Sequence, residues 1–484
     1  MATETESSNY ARGLQLAEAG KYQEGLNCIR EHLRTEPHDV QALNDAGAIL
    51  HCLGRTDDAI TYLSRARNLN TSSGEIVWNL VEAYLGGGQA IEAAALFDTM
   101  ERLGILNVDV LNRTATLLLD QGKKGPAIEV LLRSFRLWPE QEVLKPILDV
   151  VRSKRPKVAF LRCGNTNDGV LADVCEFMQQ RFVTEFHVGL DARRVAELIQ
   201  WSDIAWFDGG GQMALEASHQ QGRKKKTIIS LRRCDVGERW AKHVKWENVD
   251  ILVQIGSSAV EEALLHQVPD IRNRTRLVVV PNGINPDRYA FRRRTRGKSL
   301  VCMGCLTMEA NPAFLLQCMQ KLHYVDPEYR LFFSGEFENP SLEQYVRYMV
   351  QTLDLAGVVF FEPHAGELNA WLSDKHFVVA GGIGENQVES ILAGMASGLK
   401  PVIHNFPGAD RLFPAQHLFN IAEQFCERVL SQDYQPESYR QFVQQRYPLQ
   451  EQLGKINGIL SQLETEIDLQ SLTLSGSPAG ADQK

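Results

Sequence analysis

The chain has 484 residues, which is enough for two or three domains. Hydrophobic residues make up 44% and charged residues 23%, a composition typical of globular proteins. The net charge of −9 disfavours a general binder of nucleic acids or membrane surfaces. The sequence shows no apolar signal-like N-terminus and no apolar run long enough to cross a membrane. We therefore expect a cytoplasmic protein without an integral membrane segment.

The nine cysteines are scattered along the chain, which indicates free thiols in a reducing compartment. Cys302 and Cys305 have the spacing of half a zinc site. No second cysteine pair or histidine pair completes such a site, and Cys302 lies within a strand pattern. We predict no metal site and no cofactor.

The first 152 residues contain a repeat with a period of 34 residues. Four positions of the repeat stay in phase: the glycine series 20, 54, 88 and 122, and the series that begin at Gly13, Gly25 and Ile29. Small residues allow two helices to approach closely, glycine makes the turn between them, and the large apolar residue fills the space beside the next unit. This pattern resembles the tetratricopeptide repeat, and we expect residues 1–152 to form a superhelix of such repeats, ending in a terminal helix near 142–151.

A stacked helical array buries its core between units and leaves a groove. We expect this groove to bind a partner protein or an acceptor peptide. A spacer or an oligomerisation module remains the alternative, and the sequence does not identify the partner.

From residue 153 to residue 290, strand patterns alternate with helix patterns. This alternation predicts a parallel, doubly wound sheet, whose ligand crevice lies at the carboxyl ends of the strands. Predicted strands cover 157–161, 185–188, 203–207, 227–231, 250–255 and 276–280. Polar residues follow three of them: Arg162, Asp208, and the group Arg232, Arg233 and Asp235.

Residues 291–464 repeat the alternation and predict a second α/β lobe. Its strands are expected at 300–303, 330–334, 358–361, 377–380 and 401–404, with helical structure from Pro436 to Leu463. The polar stretch 465–484 is expected to be disordered.

The segment from Phe377 to Pro414 carries the strongest pattern of this second lobe. A buried strand is followed by a loop with Gly381, Gly382 and Gly384, and a helix follows the loop. Glycines allow tight turns and close approach of a ligand. A glycine loop between a strand and the N-terminus of a helix is typical of sites for phosphorylated ligands.

This segment resembles the donor-binding core of retaining glycosyltransferases of family 4, which have the GT-B fold. The resemblance rests on Glu385, the run Gly394-Met-Ala-Ser-Gly398 and the pair Pro401-Val402. The run Val280-Pro-Asn-Gly283 is similar to the family's signature at the end of the first lobe. The resemblance covers roughly residues 153–460 and implies two Rossmann-like lobes, at 153–290 and 291–464.

The resemblance also implies a set of site residues. Glu385 would contact the transferred sugar, Arg232 stands at the position of a family histidine, and Asp235 at that of a family acid. The implied donor-binding positions are Gly304, Pro363, His364, Gly384, Glu385, Asn386 and Ala393. Apart from the family motif, Glu389 lies one helical turn before Ala393 and could reach a donor hydroxyl. Arg162, Arg233 and Lys400 are candidate phosphate contacts that could supply positive charge from elsewhere in the chain. The donor would be a UDP- or GDP-linked sugar, and no metal or cofactor would be needed.

The sequence departs from the family at chemically important positions. Ala393 replaces the second glutamate of the motif, and Cys305 and Glu309 or Ala310 stand where basic diphosphate ligands are expected. Three hypotheses therefore remain open: a metal-independent retaining glycosyltransferase with its acceptor docked on the repeats, an inactive GT-B pseudoenzyme that binds a glycan or a partner, and a repeat scaffold with a merely structural α/β part.

Overall fold

The computed structural model of the protein describes residues 2–162, 169–189, 191–219, 225–236, 239–256, 259–362 and 367–475. It divides into two units. The first comprises residues 1–155 with 180–183, and the second comprises residues 156–179 and 184–484.

Residues 2–155 of the first unit form helices joined by short turns. Its helices are α1 (Ala2–Glu18), α2 (Tyr22–Thr35), α3 (Val40–Cys52), α4 (Thr56–Leu69), α5 (Gly74–Gly86), α6 (Ala90–Ala94), α7 (Phe97–Arg102), α8 (Val108–Asp120), α9 (Lys124–Leu137) and α10 (Leu144–Ser153). Consecutive helices form hairpins, and one apolar core runs through all of them. The helical character predicted for this region is thus present, with α10 at the place of the expected terminal helix.

The turn glycines of the 34-residue series have the expected backbone conformation. Gly20, Gly54, Gly88 and Gly122 all have φ between +72° and +76°, a left-handed region that favours glycine. A second glycine permits close helix packing, because a Cβ at Gly47 would lie 2.5 Å from Cγ of Leu63. The third hairpin departs from the pattern, since its second helix is interrupted between α6 and α7.

The second unit contains two parallel sheets of six strands each. The strands of the first lobe are β1 (Lys157–Arg162), β2 (Val183–Val188), β3 (Ile204–Asp208), β4 (Lys226–Leu231), β5 (Ile251–Ile255) and β6 (Arg276–Val280), in the order β2-β1-β3-β4-β5-β6. Its described helices are α11 (Gly169–Arg181), α12 (Ala192–Trp201), α13 (Gln212–His219), α14 (Ala259–Leu265) and α15 (Ile271–Arg274). The central strands are buried throughout, as expected for a sheet covered on both faces.

The strands of the second lobe are β7 (Ser299–Met303), β8 (Arg330–Ser334), β9 (Val359–Phe361), β10 (Phe377–Ala380), β11 (Lys400–His404) and β12 (Leu418–Phe419), in the order β12-β11-β10-β7-β8-β9. The helices are α16 (Pro312–Val325), α17 (Pro340–Thr352), α18 (Leu368–Trp371), α19 (Val388–Ala396), α20 (Ala409–Leu412), α21 (Ala422–Leu430), α22 (Pro436–Arg446) and α23 (Leu449–Ser475). In such a sheet the strand order reverses between β10 and β7, and ligands bind at the carboxyl ends of the strands beside that reversal.

The C-terminal region corrects two predictions. The helical stretch expected from Pro436 to Leu463 is two helices, α22 and α23, separated at Tyr447-Pro448. The disorder expected from residue 465 is wrong as far as Ser475, because α23 continues to that residue. Glu466 explains part of this extension, since its carboxylate accepts hydrogen bonds from Lys226 at 2.7 Å and from Arg276 at 3.2 Å in the first lobe.

In the described part of the chain, no helix is long and apolar enough to cross a membrane. The same residues contain no cluster of histidine, cysteine and acidic side chains that could hold a metal ion. Cys302 is buried and Cys305 is exposed, and both are free thiols.

Candidate functional site

A buried ion pair lies at the carboxyl edge of the first lobe's sheet. Arg162 ends β1 and Asp208 ends β3, and the two residues are partners in the strand register. Arg162 Nε lies 3.5 Å from Asp208 Oδ2, and the two side chains are only 9% and 7% exposed. Ser230, the last residue but one of β4, donates its hydroxyl to Asp208 Oδ1 at 2.6 Å. The Asp208 carboxylate is thus fixed by contacts from both neighbouring strands.

Arg232 extends this network towards the second lobe. It follows β4 directly, and its Nη1 lies 3.7 Å from Asp208 Oδ2. Its Nη2 donates to Glu389 Oε1 at 3.3 Å, and Glu389 is in the first turn of α19. About a quarter of each of these two side chains is exposed. One guanidinium therefore contacts carboxylates of both lobes at the crevice between them.

Asp235 is placed beside Arg232 but has a local structural contact. Its carboxylate accepts the backbone N–H of Arg232 at 2.7 Å across the short helical turn 233–236. Burial raises the pKa of this carboxyl, while the Arg232 N–H and guanidinium act in the opposite direction. The group thus holds the turn that positions Arg232.

The loop after β10 is tightly packed. Its glycines were predicted to allow tight turns, but the structure gives a different reason for them. None of Gly381, Gly382 and Gly384 has a left-handed backbone. A Cβ at Gly381 would lie 2.6 Å from Cγ of Leu315, and one at Gly382 would lie 2.9 Å from Oε1 of Gln387. Close packing leaves little room for a side chain at these two glycines, whereas the space around Gly384 is open.

Hydrogen bonds to neighbouring elements fix the same loop. The backbone N–H of Gly382 donates to Gln387 Oε1 at 3.1 Å, and the carbonyl of Gly382 lies 2.9 Å from Nδ1 of His404. The N–H of Ile383 donates to the carbonyl of Glu309 at 2.9 Å. The loop is thus held before any ligand binds, which is the condition for a preorganised site.

Glu385 lies at the boundary between the two lobes. It is buried at 9% exposure in the short turn Glu385–Gln387 that precedes α19. A Cβ at Gly256, which follows β5 with φ of +90°, would lie 3.4 Å from Glu385 Oε2 and 2.9 Å from Asn282 Nδ2. The predicted sugar-contacting carboxylate therefore faces the first lobe, where Gly256 keeps the opposite wall free of a side chain.

Two other predicted donor residues surround the N-terminus of α19. Gly304 follows β7 with φ of +106°, and its Cβ position lies 3.2 Å from Ser390 Oγ. Asn386 has a buried side-chain oxygen, Oδ1, with no hydrogen-bond partner within the described part of the chain. An unpaired buried acceptor is costly unless a ligand or water donates to it.

Two predicted site residues are placed elsewhere. Ala393 is 5% exposed and packs in the apolar core of the second lobe, so it offers no contact to a donor. Lys400 begins β11 and pairs with Phe377, the first residue of β10. It therefore lies at the amino edge of the sheet, opposite the carboxyl edge that carries Glu385, and cannot serve as a phosphate contact there.

Three predictions stay outside what the structure describes. Pro363 and His364 fall in the gap between residues 362 and 367. Arg233 lies in the described turn 233–236, but its side chain is not described.

Sequence reasoning missed Gly256, Asn282 and Ser390 as site residues. Asn282 was within reach of sequence analysis, because it belongs to the Val280-Pro-Asn-Gly283 signature. Gly256 follows a buried strand at the crevice edge, and this position could have indicated that it belongs to the site.

The two parallel lobes, with a glycine loop and a buried glutamate at the boundary between them, have the architecture of the GT-B fold. A glycosyltransferase from Rickettsia africae ESF-5 aligns over 64% of this chain and 99% of its own, with a TM-score of 0.50 at 13% identity. HepE of Anabaena in complex with UDP and glucose aligns over 63% of this chain and 100% of its own, with a TM-score of 0.51 at 14% identity. At this identity the likeness concerns the fold.

Comparison with known sequences finds similarity over a shorter part of the chain. No family model matches the chain. The beta-barrel assembly-enhancing protease of Escherichia coli K12 is 36% identical over 92 residues, which is 19% of this chain and 19% of that protein, and the same match is found in Shigella flexneri. The match thus spans about a fifth of the length of these curated relatives.

Proposed function

We propose that this protein is a retaining, metal-independent glycosyltransferase that uses a UDP- or GDP-linked sugar. The acceptor would be a protein or glycan held by the helical repeats, which we interpret as tetratricopeptide units. The observation that carries the proposal is the position of Glu385. This carboxylate lies on a preorganised glycine loop at the carboxyl edge of the second lobe and faces Gly256 and Asn282 of the first.

The roles of the site residues follow from their chemistry. Glu385 would accept hydrogen bonds from sugar hydroxyls, and Asn386 Oδ1 would gain the donor that it lacks. The N-terminus of α19 favours negative charge, and Arg232 reaches this helix from the other lobe. Arg232 would therefore bind the diphosphate and stabilise the charge that develops on it as the glycosidic bond breaks.

Nucleotide binding to relatives of this fold agrees with the proposal. HepE of Anabaena, whose fold is shared over 63% of this chain, was solved with UDP and glucose. We propose a UDP-sugar donor for the present chain because of the Glu385 loop and Arg232.

A pseudoenzyme is the second candidate, and two specific observations favour it. Ala393 packs in the core where the family has a ribose-binding glutamate. The Glu389 carboxylate contacts Arg232, so a negative charge of the protein already lies where the donor's phosphate charge would be expected. In this reading the crevice would support a glycan or a partner protein without catalysis.

A donor screen separates the two candidates. We expect at least one UDP- or GDP-sugar at millimolar concentration to raise the melting temperature, and slow hydrolysis of that donor to be detectable by mass spectrometry. Glu385→Gln should abolish hydrolysis while the melting temperature without ligand stays close to that of the wild type. Absence of a shift with every donor would exclude the enzyme and leave the pseudoenzyme.

A further inference from the structure

A polar stripe connects alternate helices of the first unit. Tyr10 of α1 donates its hydroxyl to Asp45 of α3 at 2.5 Å. Asn79 of α5 donates to Asn44 of α3 at 3.0 Å. Such bonds run from each of these helices to the next and mark one continuous face.

The stripe continues to α8. Arg113 of α8 donates to both oxygens of Glu82 in α5, at 3.0 and 2.8 Å. Asp109, one turn before Arg113, lies within 3.4 Å of the same guanidinium. Glu75 of α5 accepts a hydrogen bond from the Asn44 side chain at 2.8 Å. Among the named residues of the stripe, four acids thus accompany one arginine, so the stripe carries an excess of negative charge.

The 34-residue period extends this face to α10. Counting 34 residues on from Arg113 gives Ile147, and the same step from Thr116 gives Val150. Both are apolar although they occupy positions that are polar in α8. Val150 is 52% exposed and Ile147 36% exposed. The acidic stripe therefore ends in an exposed apolar segment.

A cavity of about 470 Å³ opens at this apolar end. It lies between the end of α8, the start of α9 and α10, and aliphatic residues, among them Leu119, Ile147 and Val150, form most of its wall. Lys124 and Lys154 border it, and its lining residues include no acid. The volume lies within the range of roughly 300–1,000 Å³ that is usual for ligand pockets, so the cavity has room for a large apolar side chain together with flanking backbone.

We propose that this face binds an extended peptide that carries basic residues along the acidic stripe and one large apolar side chain in the cavity. The inference rests on the proposed docking role of the repeats and names the chemistry of the docked segment. Helices pack about 8–10 Å apart, so three steps from α3 to α10 span roughly 27 Å. An extended chain covers that distance with about eight residues. The apolar residue would be the anchor, and the basic residues would set the direction.

Selection from a display library of random 12-residue peptides on the full chain tests the inference. Enriched peptides should contain two or more basic residues about four to eight positions from a single Leu, Ile, Met, Phe or Trp, a separation that follows from the extended-chain reach. A fluorescein-labelled peptide from this set is then titrated by anisotropy. No enrichment, or enrichment without basic residues and an anchor, would overturn the proposal.

Val150→Glu places a charge at the cavity and should weaken the labelled peptide at least about tenfold, since the apolar anchor would then have to be buried against a charged group. Val325→Glu in α16 is the matched control, because Val325 is a similarly exposed valine at 60%. Replacing the peptide's anchor by Ala should have the same effect as Val150→Glu, and the two changes together should cost little more than either alone. Equal binding to Val150→Glu and wild type contradicts the proposal.

Light scattering and donor titration complete the test. If the wild type is a dimer and Val150→Glu dissociates it, the cavity binds a second copy of the chain, and the peptide proposal is wrong. Donor-induced stabilisation is measured on the same variants. If the peptide binds but no donor does, the glycosyltransferase proposal is wrong and the peptide site stands. If donor binding is intact but Val150→Glu leaves peptide affinity unchanged, only the peptide site is wrong.

Discussion

Arg232 is the residue whose environment bears most on the proposed chemistry. Its guanidinium lies between the buried Asp208 of its own lobe and Glu389 of the other lobe. Asp208 is fixed by Ser230 and Arg162 independently of Arg232, and it in turn holds the Arg232 guanidinium in place. Arg232 is therefore removable without leaving Asp208 as an uncompensated buried charge.

Removal of Arg232 should weaken nucleotide binding selectively. A hydrogen bond from a charged group contributes about 1.5–3 kcal/mol, so Arg232→Ala is expected to weaken UDP about 10- to 150-fold. Isothermal titration calorimetry measures the change. Arg272→Ala serves as the control, since the Arg272 side chain is exposed and pairs with Glu261 rather than with Asp208 or Glu389. An unchanged affinity in Arg232→Ala would show that this residue does not hold the phosphates.

His417 gives the second lobe a pH-dependent stability. Burial lowers the pKa of His417 to about 4 from an ordinary 6.5, with Lys400 and Arg428 acting in the same direction, while Asp433 and a backbone bond to Pro401 oppose them. Between these values the unfolded chain binds a proton that the folded chain does not. The free energy of unfolding should therefore fall by up to about 3 kcal/mol as the pH decreases from about 6.5 to about 4.

Denaturant unfolding at several pH values tests this contribution. His417→Gln should reduce the loss of stability between pH 6.5 and 4, whereas His38→Gln, at an exposed position of the first unit, should leave it unchanged. Identical pH profiles for His417→Gln and wild type would exclude His417 as the source.

At the scale of single residues, sequence reasoning succeeded where position along a strand was enough. Arg162, Asp208 and Arg232 were expected at one sheet edge because each follows or ends a strand pattern, and they lie there. Lys400 was assigned by its charge, although it precedes a strand and thus belongs to the opposite edge. The proximity of Glu385 to Gly256 involves residues of different lobes, and no local pattern indicates such a pair.

At the scale of elements, α19 depends on close packing against β10. A Cβ at Gly394 would lie 2.7 Å from Cβ of Val378, which leaves no space for a methyl group. This packing carries the N-terminus of the helix, and with it Glu389, to the crevice.

Gly394→Ala should therefore destabilise the protein by about 1–3 kcal/mol through overpacking, despite the higher helix propensity of alanine. Urea unfolding followed by circular dichroism is the measurement. Gly454→Ala in α23 is the matched control, because nothing lies within 4 Å of its Cβ position, and it should be neutral or slightly stabilising. A neutral Gly394→Ala would show that α19 can shift away from its sheet.

Element boundaries were predictable where a buried apolar run is bounded by polar residues. The strands at 276–280, 330–334 and 377–380 coincide with prediction. The two-residue strand β12 is too short to have a period. Helix α23 continues past residue 465 partly because Glu466 pairs with Lys226 and Arg276, partners about 190 or more residues away, and such long-range contacts are invisible in a local pattern.

At the scale of the whole molecule, alternation of strands and helices predicted two α/β lobes after a helical region, and both are present. The proposed function adds that the crevice between these lobes is one site, since Arg232 and Gly256 come from the first lobe and Glu389 and Glu385 from the second. A ligand bound there must contact both lobes at once.

Hydrogen exchange with saturating UDP, followed by mass spectrometry, tests that claim most directly. We predict slower exchange in two separate segments, with unchanged exchange in residues 9–150. The first segment, 228–236, covers the end of β4 and the turn that follows it, and the second, 381–392, covers the Glu385 loop and the start of α19. At a UDP concentration that just saturates the wild type, protection of both segments should be reduced in Arg232→Ala. Protection confined to the helical region, or unchanged exchange in both segments at saturating nucleotide, would contradict a donor site between the lobes.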